Sequence, residues 1–324
     1  MMDATRFEIA ETCFGRLKAI EITNKHTREQ LVILPDMGGM LLGYRLLVNH
    51  QLISILENYR TETELLETIG NSFKGCLLFP FPNRIDGGKY QFKGKQYQLN
   101  VNFSNENNAI HGLLFDKKFV KISQTIDEHH CSLVLSHSDK NLPGYPFAFQ
   151  IDIAYTLNEQ SELSICTRIT NTGNQNLPAG IGWHPYFTLG CQIDHLRISF
   201  PAAEKYITNQ RMLPTGEHDA YNDFSNLKQI GNNRFDTCFK VAANSGQAET
   251  ILYNSNLKGG IKVWQNTGHN QYNYLQLYTP DHRQSIAIEP MTCLPNAFNI
   301  NSEFLDLPPG SIHEVEWGIK KHCQ

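Results

Sequence analysis

The chain has 324 residues, of which 40% are hydrophobic and 19% are charged, and its formal net charge is -4 at pH 7. At this length a folded chain removes roughly three quarters of its unfolded surface from water, so a large core is expected without disulfides or metal ions. The near-balanced charge argues against nucleic acid as a partner, and no apolar run of about 18 residues predicts a membrane span.

The start of the chain, MMDATRFEIAETCFG, lacks the basic region and apolar run of a signal peptide, so we expect a cytoplasmic protein. The eight cysteines are scattered without a C-x-x-C pair, which argues against a zinc site and a disulfide framework. No composition break or fixed-period repeat divides residues 1–324, which favours a single domain.

Period-two alternation of apolar residues, which puts every second side chain on one face of a strand, recurs along the chain. It begins in LVILP around Leu31. The only helical pattern follows, from Arg60 to Ile69, where Leu65, Leu66 and Ile69 would share one face. The next segment, KYQFKGKQYQL, predicts a hairpin that turns at Lys93-Gly94-Lys95.

The longest alternation runs without a break from Phe147 to Leu157 and gives the strongest strand prediction. Further strands are predicted around Leu133, Ile165, Ile198, Val263, Leu275, Ile288 and Val315. Together these patterns predict an all-β protein, a large antiparallel β-sandwich with very little helix. The alternation does not determine the strand order, because Greek-key and meander topologies share it.

Two ionisable residues lie in apolar surroundings. Glu289 ends the alternating segment SIAIEP, and a carboxylate at the end of a buried strand needs partners or a chemical role unless it points into water. His184 lies between Trp183 and the run Pro185-Tyr186-Phe187, where an imidazole is either a structural core residue or a catalytic one.

Three more candidates are less specific. Arg84 follows the segment FPFPN. Its planar guanidinium either donates hydrogen bonds to ligand hydroxyls or pairs with a structural carboxylate. His111 precedes Gly112 in an Asn-rich loop, and Asp236 precedes a strand, where Asp is common as a turn residue. No His spacing typical of a metal site supports a metal ion, and no G-x-S-x-G motif supports a serine hydrolase.

Taken together, these motifs resemble those of the aldose 1-epimerase (galactose mutarotase) family, in the same order. The stretch from Asn83 to Gly112 is similar to that family's Asn-Arg-Ile, Gly-x-Tyr/Phe, Asn and His-Gly series. The segment His184 to Phe187 resembles its His-x-Tyr-Phe motif, and Glu289 with the following PNAFN resembles its C-terminal catalytic segment.

The resemblance implies a galactose mutarotase-like supersandwich that interconverts the α and β anomers of a free aldose without a cofactor. It implies that Glu289 is the base, His184 the acid and His111 a helper near the ring oxygen. It further implies Arg84, Asp236 and Asn83 as sugar-positioning residues, and we expect an aromatic residue such as Trp183 against the sugar ring. The expected assembly is a monomer or a weak homodimer.

Two departures from the family pattern concern specificity. Many members have Asn before the acid histidine and Thr-Gln after the glutamate, where this chain has Trp183 and Pro290-Met291. The departures suggest a divergent branch whose sugar is not predicted. Two alternatives therefore stay open: a hexose-6-phosphate 1-epimerase, and a non-catalytic carbohydrate-binding or regulatory protein.

Overall fold

The computed structural model describes residues 5–242, 246–300 and 304–323. Within these ranges the first half of the chain contains one α-helix and fourteen strands: β1 (Phe7–Phe14), β2 (Leu17–Asn24), β3 (Glu29–Leu34), β4 (Met40–Val48), β5 (Gln51–Ser54), α1 (Glu62–Ser72), β6 (Leu77–Leu78), β7 (Arg84–Asp86), β8 (Lys89–Phe92), β9 (Lys95–Gln98), β10 (Asn108–Ile110), β11 (Val120–Ile126), β12 (His130–Asp139), β13 (Phe149–Asn158) and β14 (Leu163–Asn171).

The second half of the described chain contributes fourteen more strands: β15 (Leu177–Ala179), β16 (Gly182–Trp183), β17 (Tyr186–Phe187), β18 (Arg197–Ser199), β19 (Ala202–Thr208), β20 (Pro214–Ala220), β21 (Lys228–Gln229), β22 (Asp236–Val241), β23 (Gln247–Asn254), β24 (Gly259–Asn266), β25 (Tyr274–Tyr278), β26 (Ile286–Met291), β27 (Leu305–Leu307) and β28 (Ile312–Cys323). Short 3-10 turns occur at Ser104–Glu106 and Ile193–His195.

Three large sheets dominate the architecture. A five-stranded sheet has the order β1-β2-β3-β4-β5, a nine-stranded sheet β11-β12-β13-β14-β28-β24-β23-β18-β21, and an eight-stranded sheet β20-β19-β22-β25-β26-β16-β6 with β17 beside β26. All strand pairs within the described ranges are antiparallel. The all-β, antiparallel prediction is therefore confirmed.

The longest alternating segment behaves as its pattern predicts. In β13 every second residue is buried, from Phe149 to Leu157, and the strand lies in the interior of the nine-stranded sheet. The core continues between sheets, where Trp183 of the eight-stranded sheet packs on Trp317 of the nine-stranded sheet with ring centroids 5.8 Å apart. Such burial of large apolar side chains is the main stabilising contribution to the fold.

Helix α1 starts and ends two to three residues later than its sequence pattern predicted. The Thr61 hydroxyl caps it by accepting a hydrogen bond from the Glu64 amide, and Phe73 ends it in the left-handed conformation. Leu65 and Ile69 are buried as expected. The expectation for Leu66 was wrong: its side chain is 49% exposed, because only one side of the helix meets the core.

The hairpin prediction is confirmed, since β8 pairs with β9 across the predicted turn. Among the described residues, no helix is both long and apolar enough to cross a membrane.

Candidate active site

A cavity of about 620 Å³ opens beside the eight-stranded sheet. Four adjacent strands of that sheet lead to it: Asp236 begins β22, Gln276 lies in β25, Glu289 lies in β26, and His184 directly follows β16. The register pairs Gln276 with Glu289, so the two side chains share one face of the sheet. The strands thus bring together residues that are far apart in sequence.

The remaining walls come from other elements. Asn83 and Arg84 lie at the start of β7, and His111 follows β10, its partner strand. The complete lining is Glu64, Thr68, Asn71, Ser72, Phe73, Lys74, Asn83, Arg84, Phe103, Glu106, Ile110, His111, His184, Tyr186, Asp236, Gln276, Tyr278, Pro280, His282 and Glu289. Six of the seven predicted site residues therefore line one cavity.

Glu289 is the most deeply buried carboxyl group of the cavity. The residue is 1% exposed, and its Oε2 has no hydrogen-bond partner among the described residues. Burial raises the pKa of Glu289 well above its ordinary value, the Asp236 carboxylate raises it further, and the Arg84 guanidinium opposes the rise. A carboxylate in such a position is a strong proton acceptor when ionised.

His184 lies against this carboxyl group. Its Nε2 is 3.5 Å from Glu289 Oε1, and its ring stacks on Tyr186 with centroids 4.9 Å and planes 9° apart. Its backbone is fixed by hydrogen bonds from the His184 amide to the Cys76 carbonyl and from the Gly75 amide to the His184 carbonyl.

Burial lowers the pKa of His184 to about 3. An ionised carboxylate beside an imidazole favours its charged form. In the folded protein, desolvation of the imidazolium outweighs that attraction, so the free site holds a neutral imidazole at neutral pH.

The ring of His111 lies next to the ring of His184, which in turn stacks on Tyr186. The Nδ1 of His111 accepts a hydrogen bond from the Asn83 amide at 3.3 Å, so a neutral ring carries its proton on Nε2. The ring meets the edge of His184 with centroids 4.9 Å apart. Burial lowers the pKa of His111, and the nearby His184 and Arg84 lower it further.

Gly112 allows His111 this position. Gly112 has φ +74°, and a Cβ there would lie 2.2 Å from the Phe79 carbonyl oxygen, so the close approach of the two backbones requires glycine. The His-Gly pair of the sequence is thus a steric requirement as well as a motif.

Polar side chains surround the buried pair. Arg84 donates to Glu106 through Nε and Nη2 and to Asn83 Oδ1 through Nη1 at 3.0 Å. Gln276 donates to Asp236 Oδ1 at 2.9 Å. Burial raises the pKa of Asp236; the Glu106 carboxylate adds to the rise, and Arg84 opposes it. These groups can bind hydroxyls close to a proton donor and a proton acceptor.

Trp183 is the predicted site residue that does not line the cavity. It is fully buried, packs on Trp317 and Tyr155, and its indole N–H lies 3.3 Å from the Thr167 hydroxyl. Neighbouring residues of an extended segment point to opposite faces, so His184 in the cavity places Trp183 in the core. Trp183 is therefore a core residue that lies outside the cavity lining.

Sequence reasoning missed several lining residues. Gln276 carried a signal, because it is a polar residue inside the apolar strand YLQLY and is only 4% exposed. Glu106 and the polar face of α1, Glu64, Thr68 and Asn71, have no distinguishing sequence context. Within residues 5–242, 246–300 and 304–323, no cluster of three or more His, Cys, Asp or Glu could hold a metal ion.

Comparisons with solved structures identify the fold. The chain is similar to a galactose mutarotase-like protein from Clostridium acetobutylicum, with a TM-score of 0.85, 18% identity and 99% of each chain covered. It is also similar to the galactose 1-epimerase of Lactobacillus acidophilus, with a TM-score of 0.79, 15% identity, and 99% of this chain and 100% of the other covered. The expected mutarotase-like fold is confirmed.

Sequence comparison agrees with the fold. The chain is 30% identical over 256 residues to the uncharacterized protein YihR of Escherichia coli, which covers 76% of this chain and 78% of that protein. The family model described as Aldose 1-epimerase matches residues 18–320. Because that match spans nearly the whole sequence, the chain belongs to the aldose 1-epimerase family.

Proposed function

We propose that the protein is an aldose 1-epimerase that interconverts the α and β anomers of a free aldohexose by opening and closing the sugar ring. The observation that carries the proposal is the buried contact between His184 and Glu289, 3.5 Å apart, at the base of a cavity lined by hydroxyl-binding groups. Family membership and the fold support it.

Ring opening needs two proton transfers. One group removes the proton of the C1 hydroxyl, and another delivers a proton to the ring oxygen as the bond between that oxygen and C1 breaks. We assign the first to Glu289 and the second to His184, with His111 directed at the ring oxygen. Each positioned group of this kind contributes typically about 10²- to 10⁴-fold.

The buried pair needs only one proton for a complete cycle. Proton removal by Glu289 and donation by His184 leave a protonated carboxyl and a neutral imidazole. The shifted pKa values of the two groups favour this state in the free site as well. Ring opening therefore starts once the proton has passed from the Glu289 carboxyl to His184 across their 3.5 Å contact. After rotation about C1–C2, the carboxyl returns its proton to the carbonyl oxygen, the imidazole takes the ring hydroxyl proton, and the other anomer forms.

The charges of the cavity argue against a phosphorylated substrate. Its only lysine and arginine among the described lining residues are Lys74 and Arg84, and both form ion pairs, with Glu57 and Glu106. Glu64 and Asp236 add further negative charge. A free sugar therefore fits better than a hexose 6-phosphate.

Polarimetry of freshly dissolved sugars tests the proposal. We expect catalytic amounts of protein to accelerate the decay of optical rotation of α-D-galactose or α-D-glucose. Acceleration only with a sugar 6-phosphate would contradict the proposal and indicate a hexose-6-phosphate 1-epimerase. Sugar binding without acceleration of any of these would indicate a non-catalytic binding protein.

A further inference from the structure

The Arg84 guanidinium uses most of its donors inside the protein. A guanidinium has five N–H groups in a planar fork. One on Nε and one on Nη2 go to the two Glu106 carboxylate oxygens, and one on Nη1 goes to Asn83 Oδ1. Two N–H groups remain for a ligand in the cavity, and the positive charge is paired with the Glu106 carboxylate.

Glu106 is held in this position by a second arginine. Arg211, in the loop between β19 and β20, donates to the Glu106 carbonyl and to the Asn107 carbonyl, each at 2.9 Å. It also reaches Asn108 Oδ1 at 2.9 Å and Asp86 at 2.7 Å. The loop that carries Glu106 is thereby fixed at both its backbone and its flanking side chains.

The charge of Glu106 is also felt at Asp236, another residue of the cavity lining. It raises the pKa of Asp236 and so offsets part of the larger effect of Arg84, which lowers that pKa. A bound anion would meet that same negative charge, which reduces the attraction that Arg84 alone would exert on it.

We propose that Glu106 is a specificity-determining residue that offsets the charge of Arg84 and thereby favours uncharged sugars over anionic ones. The inference rests on the proposed function for the identity of the ligand as a sugar. In its pair with Glu106, Arg84 can still donate hydrogen bonds to hydroxyl oxygens. Its charge is less available for an ion pair with a phosphorylated or carboxylated sugar.

The test compares the binding of D-galactose and D-galactose 6-phosphate by calorimetry in the wild type and Glu106→Gln. The variant keeps the shape of Glu106 and removes its charge, so the ratio of the two dissociation constants should shift by about tenfold in favour of the phosphate. The matched control is Glu64→Gln, which removes a carboxylate of the same cavity that accepts from the Arg60 amide and not from Arg84.

A shift below about threefold in Glu106→Gln, or an equal shift in Glu64→Gln, would overturn the inference. If Glu106→Gln does not fold, Glu106→Ala removes the same charge and should shift the ratio in the same direction; an unchanged ratio again overturns the inference. Binding is measured independently of turnover. Loss of the proposed function would appear as wild-type protein that binds galactose without accelerating its mutarotation.

Discussion

His184 and Glu289 meet at the base of the cavity with Nε2 and Oε1 3.5 Å apart, although His184 follows β16 and Glu289 lies within β26. Both side chains are nearly inaccessible to solvent. Burial lowers the pKa of the imidazole and raises that of the carboxyl, so the two groups hold one proton between them over a wide pH range.

The pH profile of kcat/KM should reflect this shared proton. Above the raised pKa of Glu289 the pair loses its only proton, so activity should fall on the alkaline side. Because the Asp236 carboxylate contributes to that raised pKa, Asp236→Asn should move the alkaline limb to lower pH. The control is Asp281→Asn, a carboxylate exposed at the surface. An alkaline limb that stays in place or moves upward in Asp236→Asn would contradict the account.

His184, buried in its neutral form, should contribute a loss of stability at acid pH. An unfolded histidine takes up a proton near pH 6.5, whereas folded His184 does so only near pH 3. At this residue the unfolded state therefore binds more protons between these values, which lowers the free energy of unfolding as the pH falls, while the raised pKa of Glu289 contributes in the opposite direction.

His184→Gln should reduce this dependence. Its melting temperature should fall less between pH 7 and pH 5 than that of the wild type, whereas His26→Gln, at an exposed histidine, should behave like the wild type. Thermal melts followed by circular dichroism measure both. Equal slopes for wild type and His184→Gln would show that the imidazole is charged in the folded state.

Trp183 should matter for stability and not for sugar binding. Trp183→Phe removes buried volume against Trp317 and the N–H partner of Thr167, so the free energy of unfolding should drop by about 1–3 kcal/mol. KM should stay within about twofold. Urea unfolding measures the stability, and initial rates measure KM. A tenfold rise in KM with unchanged stability would instead indicate that Trp183 contacts the sugar.

The sequence predicted those features that depend on short-range patterns. Strand β13 and the β8–β9 hairpin follow from alternation and turn residues, and six site residues follow from motifs that resemble a known family. Trp183 does not line the cavity, because extended backbone places it and His184 on opposite faces and His184 takes the cavity side.

The features of the site that the sequence did not predict depend on long-range contacts. The pairing of Glu106 with Arg84 joins a 3-10 turn to a strand start, and its anchor Arg211 comes from a hairpin more than a hundred residues later. The low pKa of His184 depends on burial by several elements at once. No local pattern encodes such an environment.

The central claim is that Glu289 exchanges the proton of the C1 hydroxyl, and polarimetry of α-D-galactose with Glu289→Gln tests it most directly. The substitution preserves volume and removes the base, so the mutarotation rate should fall at least about a hundredfold. The control is Glu249→Gln, a glutamate in surface ion pairs with Lys262 and Lys320, which should retain the wild-type rate. A folded Glu289→Gln protein with near-wild-type turnover would contradict the account.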